Sequence, residues 1–266
     1  MSWVWLLALG HAQNEPEFKE TLKEHEQVEE AEAELSAEVG GSITTGNIAF
    51  YTVSAALHGG YKWTENRVSG TASALWGRGR VDGDGNGTLD IAERNATPVE
   101  TARRASTDLR YDRFFGERNS IYATGGALMD PYAGYDLRTH EQLGYSRHMV
   151  AQEDSSVVVE SGLDYAQENY VNGVVPNSDN VIALRAMASA QHAVSDYFSL
   201  ENKVEIYENL RDFEDFRVNN DVIISARING SLSMKLSHSL RFDNQPVDGF
   251  RATDQTALAT LVTTLR

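Results

Sequence analysis

The stretch SLSMKLSHSLRF, residues 231–242, decides the fold. Leu232, Met234, Leu236, Leu240 and Phe242 alternate with Ser231, Ser233, Lys235, Ser237, Ser239 and Arg241. Successive side chains of an extended chain point to opposite faces, so a period of two makes one face apolar and the other polar. The segment before it repeats the design, with Val218, Val222, Ile224, Ala226 and Ile228 opposite Arg217, Asn219, Asp221, Ser225 and Arg227. One segment further back, Phe198, Leu200, Val204 and Ile206 stand opposite Ser199, Glu201, Lys203 and Glu205. Weaker versions occur at Ala105, Thr107, Leu109 and Tyr111, and at Val157, Val159, Leu163 and Tyr165. The chain is therefore all-β, with segments of 10 to 15 residues from about residue 33 onward.

Alternation fits two architectures. In a soluble sandwich the apolar rows form the core, and in a membrane barrel they face lipid while the polar rows line the lumen. Connection lengths separate the two. Short turns fall near 228–230, 192–196, 151–155, 115–119 and 59–66, and longer connections at 243–254, 209–216, 168–179, 130–136 and 80–98. The two classes alternate strictly, as short periplasmic turns and longer outer loops do in membrane barrels. A further strand over 33–43, turning at 44–47, brings the count to twelve, the even number that places both termini on one side. The expectation is a closed antiparallel transmembrane β-barrel of about 12 strands over residues 33–266. A soluble exported β-barrel or sandwich binding module remains the alternative.

Composition agrees with a barrel. Mean hydropathy is −0.41, and after residue 12 no apolar run approaches the roughly 20 residues of a spanning helix. A barrel averages its two faces and comes out polar. There is no cysteine, which removes disulfides, thiolate chemistry and zinc–thiolate sites. With 39 acidic against 23 basic residues and a net charge of −16, nucleic acid is not an expected partner. Residues 3–9 are apolar and are followed by Gly10-His11-Ala12, the pattern of a short signal peptide over 1–12. Residues 13–32 are acidic with few apolar positions and are expected to be a flexible extension.

Four stretches resemble the DUF481 family of salt-induced outer-membrane proteins: AELSAEVGGSITTGN (33–47), DPYAGYDLRTHEQLGY (130–145), LRDFEDFRVNND (210–221) and KLSHSLRFDNQPVDGFRATDQT (235–256). The last is the most specific, with a charged strand, a DNQP turn, a GF pair and a final TDxT strand in order. The resemblance implies an outer-membrane location and a non-enzymatic barrel with a structural, envelope-stress or modest channel role. Its expected partners are outer-membrane lipid and the barrel-assembly machinery, and the small molecule or ion carried, if any, is not specified. The chain departs from the usual aromatic end of such barrels: Ala257, Ala259, Leu261, Thr263 and Leu265 form the last outward row, and Arg266 follows.

Two groups of residues carry chemistry. Asp82, Asp84, Asn86, Thr88, Asp90 and Glu93 occupy the ligand positions of a twelve-residue calcium loop, with Gly87 at the sharp turn and no helix evident on either side. The same letters also describe an ordinary Asp/Gly turn. Glu201, Lys203, Glu205, Asp221, Arg227, Lys235 and Arg241 fall on the polar rows of adjacent strands and are expected to line the lumen. They read either as a conduit with a transverse field or as cross-strand ion pairs that fill a narrow barrel. A calcium-dependent outer-membrane hydrolase is a third reading, centred on His238 between Ser237 and Ser239, but alternation points the histidine outward and the serines inward.

Overall fold

The computed structural model describes residues 28–44, 50–80, 90–116, 118–152, 154–174 and 176–265. The expected signal peptide and most of the acidic extension lie outside the described residues. Twelve strands follow one another: β1 (Val28–Thr44), β2 (Phe50–Thr64), β3 (Asn66–Gly79), β4 (Val99–Phe115), β5 (Asn119–Asp130), β6 (Tyr135–Gln152), β7 (Ser155–Tyr170), β8 (Ser178–Ser195), β9 (Phe198–Asn209), β10 (Phe216–Arg227), β11 (Leu232–Asp243) and β12 (Thr253–Leu265). A short helix α1 (Ile91–Asn95) precedes β4, and a 3-10 turn (Pro131–Ala133) joins β5 to β6.

Each strand pairs antiparallel with its neighbours in sequence, and the sheet closes where Leu35–Gly41 of β1 meets Leu265–Ala259 of β12. Closure leaves no strand edge to solvate, which is what a sheet in hydrocarbon requires. At the end where β1 begins and β12 finishes the connections are short, from the single residue Glu65 to the four residues 228–231. At the other end they run longer, up to residues 80–98 and 244–252.

Two expected boundaries move. The turn expected over 59–66 contracts to Thr64 and Glu65, with Thr64 at a φ of +50°. Gly59 and Gly60 look like a turn signal but remain in the ladder, opposite Leu35 and Glu34 of β1. The first strand starts at Val28, inside the segment expected to be flexible, because β2 runs on to Thr64 and offers backbone partners that β12 does not reach: Val28 pairs with Thr64 and Glu32 with Lys62, across a bulge.

The molecule is inside-out relative to a water-soluble fold. Leu143, Leu163 and Leu184 stand side by side on neighbouring strands, and Leu143 is 67% exposed on the outer surface. Inside, Glu160, Asp164, Glu168, Arg185 and Glu201 are buried, and the buried apolar cluster among the described residues is only Ala166, Val181 and Ala183. Aromatic side chains gather at both rims. Tyr61, Trp63 and Tyr111 touch in series near the short turns, as do Phe115 and Tyr145. At the long-loop rim Tyr51 packs edge-on against Trp76, whose indole N–H donates to Glu100 at 3.0 Å. Rings with a polar tip at both ends of an apolar band match the girdles of a bilayer-spanning barrel.

The register sets a test on two adjacent residues. Leu236 faces outward and is 45% exposed, while Ser237 lines the interior. Leu236→Arg should destabilise the barrel by about 2 to 4 kcal/mol in lipid, and Ser237→Arg by much less, as read from urea unfolding of the refolded protein in vesicles. Equal losses would contradict the assigned facing.

Candidate functional site

The interior is built from a row that crosses four strands. Tyr122 of β5 pairs with Gly144 of β6, Gly144 with Gly162 of β7, and Gly162 with Arg185 of β8. With no side chain on either glycine, the Tyr122 ring lies flat along the inner wall: a Cβ on Gly144 would stand 2.5 Å from the phenol oxygen. The Arg185 guanidinium then donates to that oxygen at 2.8 Å. One step nearer the long loops the device recurs. Asp108 and His140 flank Gly126 in register and join over it at 2.9 Å, where a Cβ on Gly126 would collide with both.

Around Tyr122 a layer of ion pairs runs along the inner wall from β4 to β9. Arg110 of β4 stacks on the Tyr122 ring with its carbon 4.1 Å from the centroid, and it bridges Asp112 at 2.7 Å and Glu160 of β7 at 2.8 Å. Arg185 reaches Glu160 at 2.8 Å and Glu205 of β9 at 2.5 Å, and Lys203 completes the chain to Glu205 at 3.1 Å. On the opposite wall Glu38 of β1 holds both His58 of β2 and Lys235 of β11. Nearer the long loops, the fully buried Glu168 serves both Arg138 at 3.1 Å and Arg217 of β10 at 2.5 Å. Ionised partners in a poorly hydrated interior attract strongly, yet desolvation removes much of that gain. These pairs therefore fix the positions of long side chains more than they add stability.

Two cavities occupy the interior, and the layer around Tyr122 forms part of the wall of the first. This one, of about 470 Å³, extends toward the short turns and is lined by Arg67, Phe114 and His148 among others. The second, of about 590 Å³, opens among the long connections past Tyr132, Val247 and Arg251.

The sequence matches the family model DUF481, described as a protein of unknown function, over residues 37–265. The chain belongs to the DUF481 family. No individually curated protein matches it. Among solved structures it is similar to a NanC porin, with 10% identity, a TM-score of 0.52, and coverage of 87% of this chain and 100% of that one. It is also similar to the COG4313 outer-membrane channel from Pseudomonas putida F1, with 10% identity, a TM-score of 0.50, and coverage of 90% of this chain and 97% of that one. At such identities the likeness is one of fold: a closed antiparallel barrel of the outer-membrane porin type.

In this DUF481 barrel, Glu201, Lys203, Glu205, Asp221, Lys235 and Arg241 all line the inner cavity. Arg227 shares the face of Asp221 by alternation along β10 but borders neither cavity, because it sits at the last residue of the strand beside the short turn. The central residues that sequence reasoning did not single out are Tyr122, Arg110, Glu160, Arg185 and Glu38. Parity offered a signal for Arg185, a lone arginine on the inward row of Val181, Ala183 and Met187. It offered none for the contact of Arg185 with Tyr122, which lies three strands away.

Of the expected calcium ligands, Asp82, Asp84, Asn86 and Thr88 lie outside the described residues. Asp90 and Glu93 cap α1 reciprocally: the Glu93 amide donates to Asp90 at 2.8 Å and the Asp90 amide to the Glu93 carboxylate at 2.9 Å. A helix thus does follow the loop, contrary to expectation, because this capping box satisfies its first amides within a single turn. Among the described residues no group of three or more metal-binding side chains occurs. His238 faces outward and its Nε2 lies 3.2 Å from Gln255 Oε1, while Ser237 and Ser239 point into the lumen.

The glycine-and-ring arrangement is testable. Gly144→Ala places a methyl group against the Tyr122 phenol and should cost roughly 1 to 3 kcal/mol as overpacking. Tyr122→Ala in the same chain should recover part of that loss. Strictly additive effects in a double-mutant cycle of unfolding free energies would show that the ring does not rest on the glycine.

Proposed function

We propose that this DUF481 protein stands in the outer membrane and serves as a narrow, low-conductance conduit for small hydrophilic solutes, without catalysing a reaction. The observation that carries the reading is that the two cavities share Ser73, Ser106, Lys235, Ser237, Ser239 and Arg241 as lining, which supports a polar lane along β3, β4 and β11. The apolar outer band with its aromatic rims supports a bilayer setting, and lipid and the assembly machinery of such barrels are the partners that setting implies. Arg185 ties Tyr122, Glu160 and Glu205 together on the ionic side of the same inner cavity.

In planar bilayers the purified protein should give small, steady conductance steps, and Arg185→Ala should raise them severalfold by loosening the layer. Cell fractionation should recover it in the outer membrane with heat-modifiable gel mobility. If neither protein passes current and neither admits small sugars into liposomes, the interior is a filled strut and the conduit reading falls.

We also propose that calcium braces the long connection before β4, through Asp82, Asp84, Asn86, Thr88, Asp90 and Glu93. This rests on the twelve-residue template and on α1, which begins at its tenth position, Ile91. Binding should show in calorimetry at about 0.1 to 1 mM, as is typical of extracellular sites, and weaken in Glu93→Gln; a flat titration at millimolar calcium would exclude it.

A further inference from the structure

We infer that the neck between the two cavities is a filter that favours small oxyanions, carboxylates or phosphates, over cations, although the chain as a whole carries a net charge of −16. The inference rests on the conduit reading for its biological meaning but not for its chemistry. Among the described residues six border both cavities, and their composition is one-sided: four serine hydroxyls, one ammonium and one guanidinium, with no carboxylate in this shared set. Among the described residues the inner cavity is electrically balanced, with six Lys or Arg and six Asp or Glu in its lining. The outer one is not, with seven against four. Among the described residues positive charge therefore rises toward the long-loop mouth, and along the neck each cation keeps one carboxylate partner, Glu38 for Lys235 and Asp221 for Arg241.

The carboxylates that pair with the two neck cations stand off to either side. Glu38, which holds Lys235, borders only the outer cavity, and Asp221, which holds Arg241 at 2.8 Å, borders only the inner one. Arg241 is also the more open member of its pair, with a side chain 31% exposed against 19% for Asp221. The hydroxyls add donors of the right kind. Ser73 and Ser106 face each other across β3 and β4 at 2.8 Å, so of the two only one proton is used between them. Ser239 donates to Asp221 at 2.6 Å, which takes up part of that carboxylate's accepting capacity. A guanidinium, an ammonium and rotatable hydroxyls around a narrow polar passage suit an oxyanion, whose oxygens accept several charge-assisted hydrogen bonds at once. A cation would meet two like charges and hydroxyl lone pairs, with the nearby carboxylates of Glu38 and Asp221 already engaged by Lys235 and Arg241.

The absence of cysteine from the sequence allows a test that needs no current. Ser106→Cys and Ser237→Cys in detergent would each be reacted with a sulfonate-bearing and a trimethylammonium-bearing methanethiosulfonate, with mixed-disulfide formation followed by mass spectrometry. The ratio of the two rates cancels the thiolate fraction. Ser231→Cys, at the exposed turn between β10 and β11, supplies the reference ratio. The neck ratio should favour the anionic reagent roughly tenfold over the reference, the effect of a potential of a few kT, and should shrink in high salt. A ratio equal to the reference or inverted, or no labelling of either neck cysteine, would overturn the inference. In bilayers the reversal potential under a potassium citrate or potassium phosphate gradient should report anion preference, and Ser106→Asp should move it toward cations. An anionic labelling ratio without current leaves the filter standing and removes the conduit, whereas current with a flat ratio does the reverse.

Discussion

Closure of one ladder governs this molecule. Every strand from β1 to β12 has a partner on both sides, and the meeting of β1 with β12 turns a sheet with two open edges into a tube with none. In hydrocarbon no water can satisfy a stray amide, so this closure is the condition under which an apolar exterior becomes tolerable. The remaining features follow from it. Alternation sends every second side chain inward, and the space that twelve strands enclose is lined largely by buried polar and charged side chains.

That space is occupied in an economical way. Long charged side chains radiate from the wall, and glycines at 126, 144 and 162 let some of them lie along it instead of pointing at one another. The result is a lumen divided lengthwise, with a dense ionic side on β4 to β9 and a serine-bordered side at β3, β4 and β11. A uniform coat of medium-sized polar residues would have enclosed similar volume without fixing where the gap lies.

The strand count and the facing of each strand were legible in the chain because period-two patterns in segments such as 198–206, 217–228 and 231–242 leave little freedom of register. The alternation of short and long connections located the two ends. Gly59-Gly60 misled because a glycine pair signals a turn as readily as a wall that must stay thin, and nothing local marks Val28 as the start of a strand whose partner is 36 residues away at Thr64. Lumen residues on β9 to β11 were readable from parity alone. The layer around Tyr122 was not, since Arg110 and Glu160 belong to β4 and β7, and the contact between them depends on the curvature of the closed sheet.

Two of the ion pairs act as chords of the cross-section. Arg110 to Glu160 spans from β4 to β7 over the intervening β5 and β6, and Arg217 to Glu168 spans from β10 to β7 over β9 and β8. A thin-walled tube squeezed from the side fails first by flattening into an ellipse, and lipid presses sideways on everything it surrounds. Ties anchored on β7 and running in both directions resist that ovalisation over β4 to β10, while β11, β12, β1 and β2 are held by the shorter tie of Glu38 to Lys235. The cross-section should therefore breathe unevenly, with its compliant arc along the serine-bordered wall.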